Sequence, residues 1–165
     1  MVLTHLVAHS LFFTAIINGS LLLIMVSISP RVWGYSDYSE AIKAKVPPQT
    51  PKEKRVALII GLPWMIFAVG FPIYSTYVLK SKLGGEIPFW AAFLNIFVMV
   101  FLATLCDLVI LDWLIVNKIT PEFVMIPGTE KGDYKDFLHH YKAHARAAVV
   151  LFLLCLILAG TVWYF

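Results

Sequence analysis

Charge is scarce in this chain. Asp, Glu, Lys and Arg make up 14% of its 165 residues, where a soluble domain carries about 25%. Water-solvated side chains alone cannot cover such a molecule. Cysteine is scarcer still. Cys106 and Cys155 both fall in apolar runs and lack the spacing of a CxxC pair or a zinc site. That excludes a disulfide scaffold, and each thiol reads as a small buried filler. The basic residues form no stripe, so no nucleic-acid partner is expected. The Gly-Lys-Ser/Thr ending of a phosphate loop is missing after Pro127-Gly128-Thr129, which reads as an ordinary turn.

Apolar residues fill the gap, at 60% of the sequence. A bilayer crossing needs about 20 consecutive apolar residues. Four segments qualify, residues 3–29, 56–79, 89–116 and 147–165. The pattern predicts an all-α integral membrane protein whose residues 1–165 form a single antiparallel bundle of four transmembrane helices, with the lipid bilayer as its first partner. No Lys or Arg precedes the first run and no small-residue cleavage site follows it, so it is expected to be retained rather than removed as a signal peptide.

Cations set the expected orientation. Every Lys and Arg except Lys80 and Lys82 falls in residues 30–55 or 117–146. By the positive-inside rule these two loops are cytoplasmic, and both termini lie on the non-cytoplasmic side of a cell or cytoplasmic membrane. Trp90 and Trp113 bracket the third span about 35 Å apart at about 1.5 Å rise per residue, and Trp163-Tyr164-Phe165 would join an outer aromatic belt.

The connections carry signals of their own. Ser36-Asp37 would cap a short interfacial helix over residues 38–46, stopped by Pro47-Pro48, with apolar and cationic residues alternating along the membrane surface. Residues 133–146 read as a cytoplasmic helical extension leading into the fourth span. Gly84-Gly85 makes the tight turn of an antiparallel hairpin. Pro63 and Pro72 favour kinks in the second span.

Polar residues inside the spans are few. In the first, Ser10, Thr14 and Asn18 line one stripe while His5, His9 and Ser20 line a roughly opposite one. Two polar faces predict protein on all sides, either within the bundle or at a contact in a homo-oligomer or larger membrane complex. No midplane histidines pair across two spans, so a bis-histidine haem is not expected. The fourth span is polar only at Cys155 between residues 149 and 158, which suits a lipid-facing wall.

Asp107 and Asp112 are the only acids in the four spans. A carboxylate at bilayer depth costs about 2.5–3.5 kcal/mol on insertion scales, so it is a functional candidate by default. On an α-helical wheel the two point about 140° apart at about 100° per residue, which separates them onto different faces. Asp136, His140 and His144 follow at i, i+4 and i+8, one helical face carrying ligand types that suit a divalent metal, with Asp112 as a fourth. Asp107, Asp112, His140 and His144 are the candidate catalytic groups, the imidazoles as acid–base residues. Asn18, Asn95, Asp107 and Asp112 are the expected lining of a polar cavity opening at the cytoplasmic interface, suited to binding or modifying a lipid-like or amphipathic molecule. Two other functions fit the same residues. One is proton or small-cation transport through an oligomer, with Asp107 as relay and Thr14 and Asn95 as polar steps. The other is a non-catalytic accessory or assembly subunit of a membrane complex. Residue types alone do not choose between enzyme and non-enzyme.

Overall fold

The computed structural model describes residues 2–165. Six α-helices follow in order: α1 Val2–Ser27, α2 Pro30–Trp33, α3 Glu40–Lys43, α4 Pro51–Lys82, α5 Phe89–Cys106 and α6 Phe137–Tyr164. A π-helical segment, Asp107–Ile119, continues α5, and short 3-10 turns lie at Glu122–Val124 and Lys131–Tyr134. There is no strand among the described residues. Four helical stretches are long and apolar enough to cross a membrane: Val2–Ser27, Pro51–Lys82, Phe89–Ile119 and Lys131–Tyr164.

Local chemistry sets the helix ends. Thr50 accepts from the Glu53 amide at 3.2 Å, and the Glu53 carboxylate accepts from the Thr50 amide at 2.7 Å. This reciprocal cap, with Pro51 at the first helical position, starts α4. Arg31 clamps the same Glu53 at 2.7 Å and ties α2 to α4. The helix then runs unbroken through Pro63 and Pro72. Asp136 starts α6 by accepting from the His139 amide at 2.9 Å.

α5 is the hub, packed against α1, α4 and α6. Ala92, Ile96, Met99 and Ala103 recur at helical spacing along it and are almost fully buried. Phe13 and Ile17 of α1 pack on Met99 and Ala103, while Leu79 of α4 and Cys155 and Ala159 of α6 pack on Ala92, Phe93 and Ile96. Alanines at these contacts let the helix backbones approach closely. The expected wall on α6 is present, with Val149, Val150, Leu153 and Ile157 exposed. α4 carries a second such face in Leu58, Ile59, Leu62, Met65 and Ile66.

Three expectations need correction. First, of the two surroundings expected for α1, the bundle of a single chain does not enclose it: Leu3, Val7, Leu11, Ile16 and Leu23 are exposed. Its polar stripes serve two different neighbours instead, His5 reaching Ser75 of α4 and Asn18 reaching the Ala103 carbonyl of α5. Second, the predicted helix over residues 38–46 shrinks to α3, and its apolar residues turn inward. Tyr38, Ile42 and Val46 form a second core with Val124, Ile126 and Tyr134 beneath the bundle. The Tyr38 hydroxyl donates to the Val124 carbonyl at 2.6 Å and its ring meets Tyr134 edge-on. Burial raises its phenol pKa well above the usual value. Third, the extension before the fourth span begins at Phe137, because residues 131–134 are a 3-10 turn and Asp136 is a cap. Gly128, at φ +95°, forms the turn expected there, and the Thr129 hydroxyl donates to the Ile126 carbonyl at 2.7 Å.

Candidate functional site

The third span changes helix type where its acids begin. From Asp107 the backbone bonds i to i+5, and the last such bond, Thr120 N to Ile115 O, is 2.8 Å long. A π-helix stacks residues five apart, and stretches of it are rare and frequent at functional sites. The segment ends at Thr120 in the left-handed region, φ 51°, an uncommon conformation for a β-branched residue. Its orphan carbonyls find a cation: Lys135 donates to the carbonyls of Asn117 and Lys118 and to the Thr120 hydroxyl, the favourable sign at a helix C-terminus.

The helix change overturns the wheel argument, since Asp107 and Asp112 are separated by five residues and so come to the same side. Both face His144 on α6: its Nε2 lies 2.9 Å from Asp112 Oδ2 and 3.8 Å from Asp107 Oδ2. His140, one turn earlier on α6, brings Nδ1 to 3.1 Å from that Asp112 oxygen. One carboxylate oxygen therefore takes two imidazole N–H groups. The cluster is well shielded, with side-chain exposures of 19% for Asp112, 10% for His140, 17% for His144 and 31% for Asp107. His144 Nδ1 is buried without a partner. His139, on the neighbouring face, donates to the Asp37 carbonyl at 2.8 Å and pins the first loop beside the cluster. Asp37 keeps an exposed surface, yet the surrounding atoms desolvate its carboxyl. That, and then repulsion from Asp112, raises its pKa above the ordinary range.

The other predicted residues lie elsewhere. Asp136 is occupied as the α6 cap and is exposed, away from the Asp107–His144 group. Asn18 is bound to the Thr14 and Ala103 carbonyls between α1 and α5. Asn95 sits toward the hairpin end of the bundle, donating to the Ser75 and Thr76 hydroxyls at 3.2 and 3.0 Å. His5 donates to the Ser75 carbonyl at 3.0 Å and receives Lys82 at 3.3 Å, with the His9 ring tilted by 31° against it at 3.8 Å between ring centroids. The predicted single cavity is thus two polar centres. Asn95 belongs to one and the two aspartates to the other.

Hydropathy gave no sign of the groove beside the acid–histidine cluster. An open, apolar groove of about 350 Å³ runs between α5 and α6, lined among others by Val100, Phe101, Thr104, Ala148, Val149 and Phe152. Thr104 precedes Asp107 by about one helical turn and Ala148 follows His144 by about one, and the cluster residues themselves do not line the groove. A larger hollow, about 540 Å³, opens at the opposite end beside Lys80, Glu86 and Trp163 and does not reach it.

Chemically, Asp107, Asp112 and His144 each bring one metal-ligating atom within 4.8 Å of the others. The same groups are able to accept and return a proton. Comparison with known protein families, with curated proteins and with solved structures finds no match to this chain.

Proposed function

We propose that this chain is a multi-pass protein of the cell or cytoplasmic membrane that binds or modifies a lipid-like amphiphile, its polar head at Asp107, Asp112, His140 and His144 and its tail along the α5–α6 groove. The orientation is that of the positive-inside rule, with the loops around residues 30–50 and 120–136 cytoplasmic and both termini outside. The observation that carries the reading is the placement of an apolar groove on the same two packed helical stretches as the acid–histidine cluster, its lining residues Thr104 and Ala148 each about one helical turn from Asp107 and His144. A volume of about 350 Å³ falls in the usual ligand range of about 300–1,000 Å³, and an apolar body with a few convergent polar groups is the usual form of such sites. Exposed Phe101, Val149 and Phe152 would let an acyl chain enter sideways from the bilayer.

The test is lipid retention. The protein is purified in mild detergent and its bound amphiphiles are counted by native mass spectrometry. Ala148→Phe and Thr104→Trp fill the groove and should cut retention severalfold while leaving the helical signal intact. Retention unchanged in both variants would remove the reading.

A second reading has an observation of its own. Ser10 Oγ, Thr14 Oγ1 and Asn18 Oδ1 are buried without partners along one stripe of α1, a file of polar atoms leading toward the level of Asp107. Such a file suits proton passage with Asp107 as relay. Proteoliposome proton flux abolished by Asp107→Asn would favour it over amphiphile binding, and no flux in the wild type would dismiss it.

A further inference from the structure

We propose that Asp107, Asp112 and His144 hold one divalent first-row transition ion, with His140 orienting Asp112 from outside the coordination shell. The proposal deepens the amphiphile reading, because it rests on the same cluster and gives the polar head an ion to bind. It differs from the sequence-based ligand set by losing Asp136 and gaining Asp107, a change made by the π-helix.

Geometry carries it first. Zinc-type bonds to His nitrogen and carboxylate oxygen are about 2.0–2.2 Å long, so two ligand atoms on a tetrahedron lie about 3.3 Å apart. His144 Nε2 is 2.9 Å from one carboxylate oxygen and 3.8 Å from the other, which brackets that edge. All three ligand atoms lie within 4.8 Å of one another, and side-chain adjustment closes the set. The three come from two packed elements, the π segment and α6, as metal sites in helical bundles do.

Charge carries it second. Two carboxylates face one another where water is largely excluded, with Asp37 nearby. Among the described residues no Lys or Arg ion-pairs with either of them, since Arg31 is committed to Glu53, Lys43 to Glu40 and Lys45 to Asp133. The balancing groups present are the two imidazoles. Carboxylates in a low-dielectric site are costly unless well paired, and a dication neutralises both at once while His140 keeps its contact with Asp112. Mixed imidazole and carboxylate donors suit zinc, manganese or iron better than magnesium or calcium, which favour all-oxygen shells. Three protein ligands leave a coordination position open, and the groove residues Thr104 and Ala148 lie about one helical turn from two of the ligands.

The experiment uses the full chain without an affinity tag, in nonionic detergent, stripped with EDTA and then titrated with Zn²⁺ and, separately, Co²⁺. The expected result is one ion per chain, with visible Co²⁺ absorption bands from a low-coordinate site. Asp112→Asn and His144→Gln should abolish the bands. His140→Gln should weaken binding about 10- to 100-fold, the range for a residue that orients a ligand. Asp136→Asn keeps the cap and should bind as the wild type does. Wild-type protein with no stoichiometric ion and no Co²⁺ bands overturns the proposal whether or not the variants fold. So does wild-type affinity in Asp112→Asn. Bound amphiphile is counted on the same samples. Amphiphile without an ion site defeats the metal and leaves the binding reading standing, and an ion site without amphiphile does the reverse.

Discussion

Replacing Asp112 with alanine removes the one oxygen that joins both imidazoles of α6 to the π segment. Hydrogen bonds between membrane helices average about 0.6 kcal/mol, because the separated helices find other partners. A charged acceptor roughly doubles that, giving about 1.2 kcal/mol per contact. The side chains are only 19%, 10% and 17% exposed, so solvent screening trims little. Two contacts, to His144 at 2.9 Å and to His140 at 3.1 Å, therefore predict a loss of about 2.4 kcal/mol on that scaling. The decisive measurement is a double-mutant cycle of Asp112→Ala with His144→Ala, read by circular dichroism during unfolding in mixed detergent micelles. A coupling energy of about 1.2 kcal/mol is expected for that single pair. Additivity within about 0.3–0.5 kcal/mol, the usual scatter for independent sites, would show that the two side chains do not interact. The convergence of the acids on α6 would then be wrong.

Other outcomes follow from the same structure. Tyr38→Phe leaves the Val124 carbonyl without its 2.6 Å donor and should cost about 1 kcal/mol in the same unfolding assay. Gly34→Ala would place a Cβ 3.0 Å from the Tyr38 ring; that overpacking should cost about 1–3 kcal/mol, and wild-type stability would contradict the loop core described here. Cysteine introduced by Ser81→Cys should react with an impermeant maleimide on intact cells, whereas Lys131→Cys should react only after the membrane is opened. The opposite pattern would invert the proposed orientation. Thr50→Ala removes the reciprocal cap of α4 and should cost about 1 kcal/mol, seen as earlier loss of helical signal.

Much of the architecture was legible because bilayer-length helices announce themselves by composition. Runs of about 20 apolar residues leave few alternatives, and four such runs produced four long helices with a Gly-Gly turn where expected. Asp107 and Asp112 stood out as candidates for the same reason, as charge is conspicuous where charge is rare. Their relationship was not. Every wheel assumes about 100° per residue, and no feature of residues 107–119 marks the switch to i to i+5 bonding. The fate of Asn95 was hidden too. An asparagine in a span shows that it must bond, but its partners Ser75 and Thr76 lie on another helix.

The sequence by itself determined how many helices are long and apolar enough to span, because this follows from local hydropathy. The tertiary structure decided which polar groups meet. That depends on helix type, rotation and the packing of α6 against the π segment, long-range terms that no local window contains. Asp107, Asp112, His140 and His144 became one site only when those terms were fixed, and Asn18, Asn95 and Asp136 left it for the same reason.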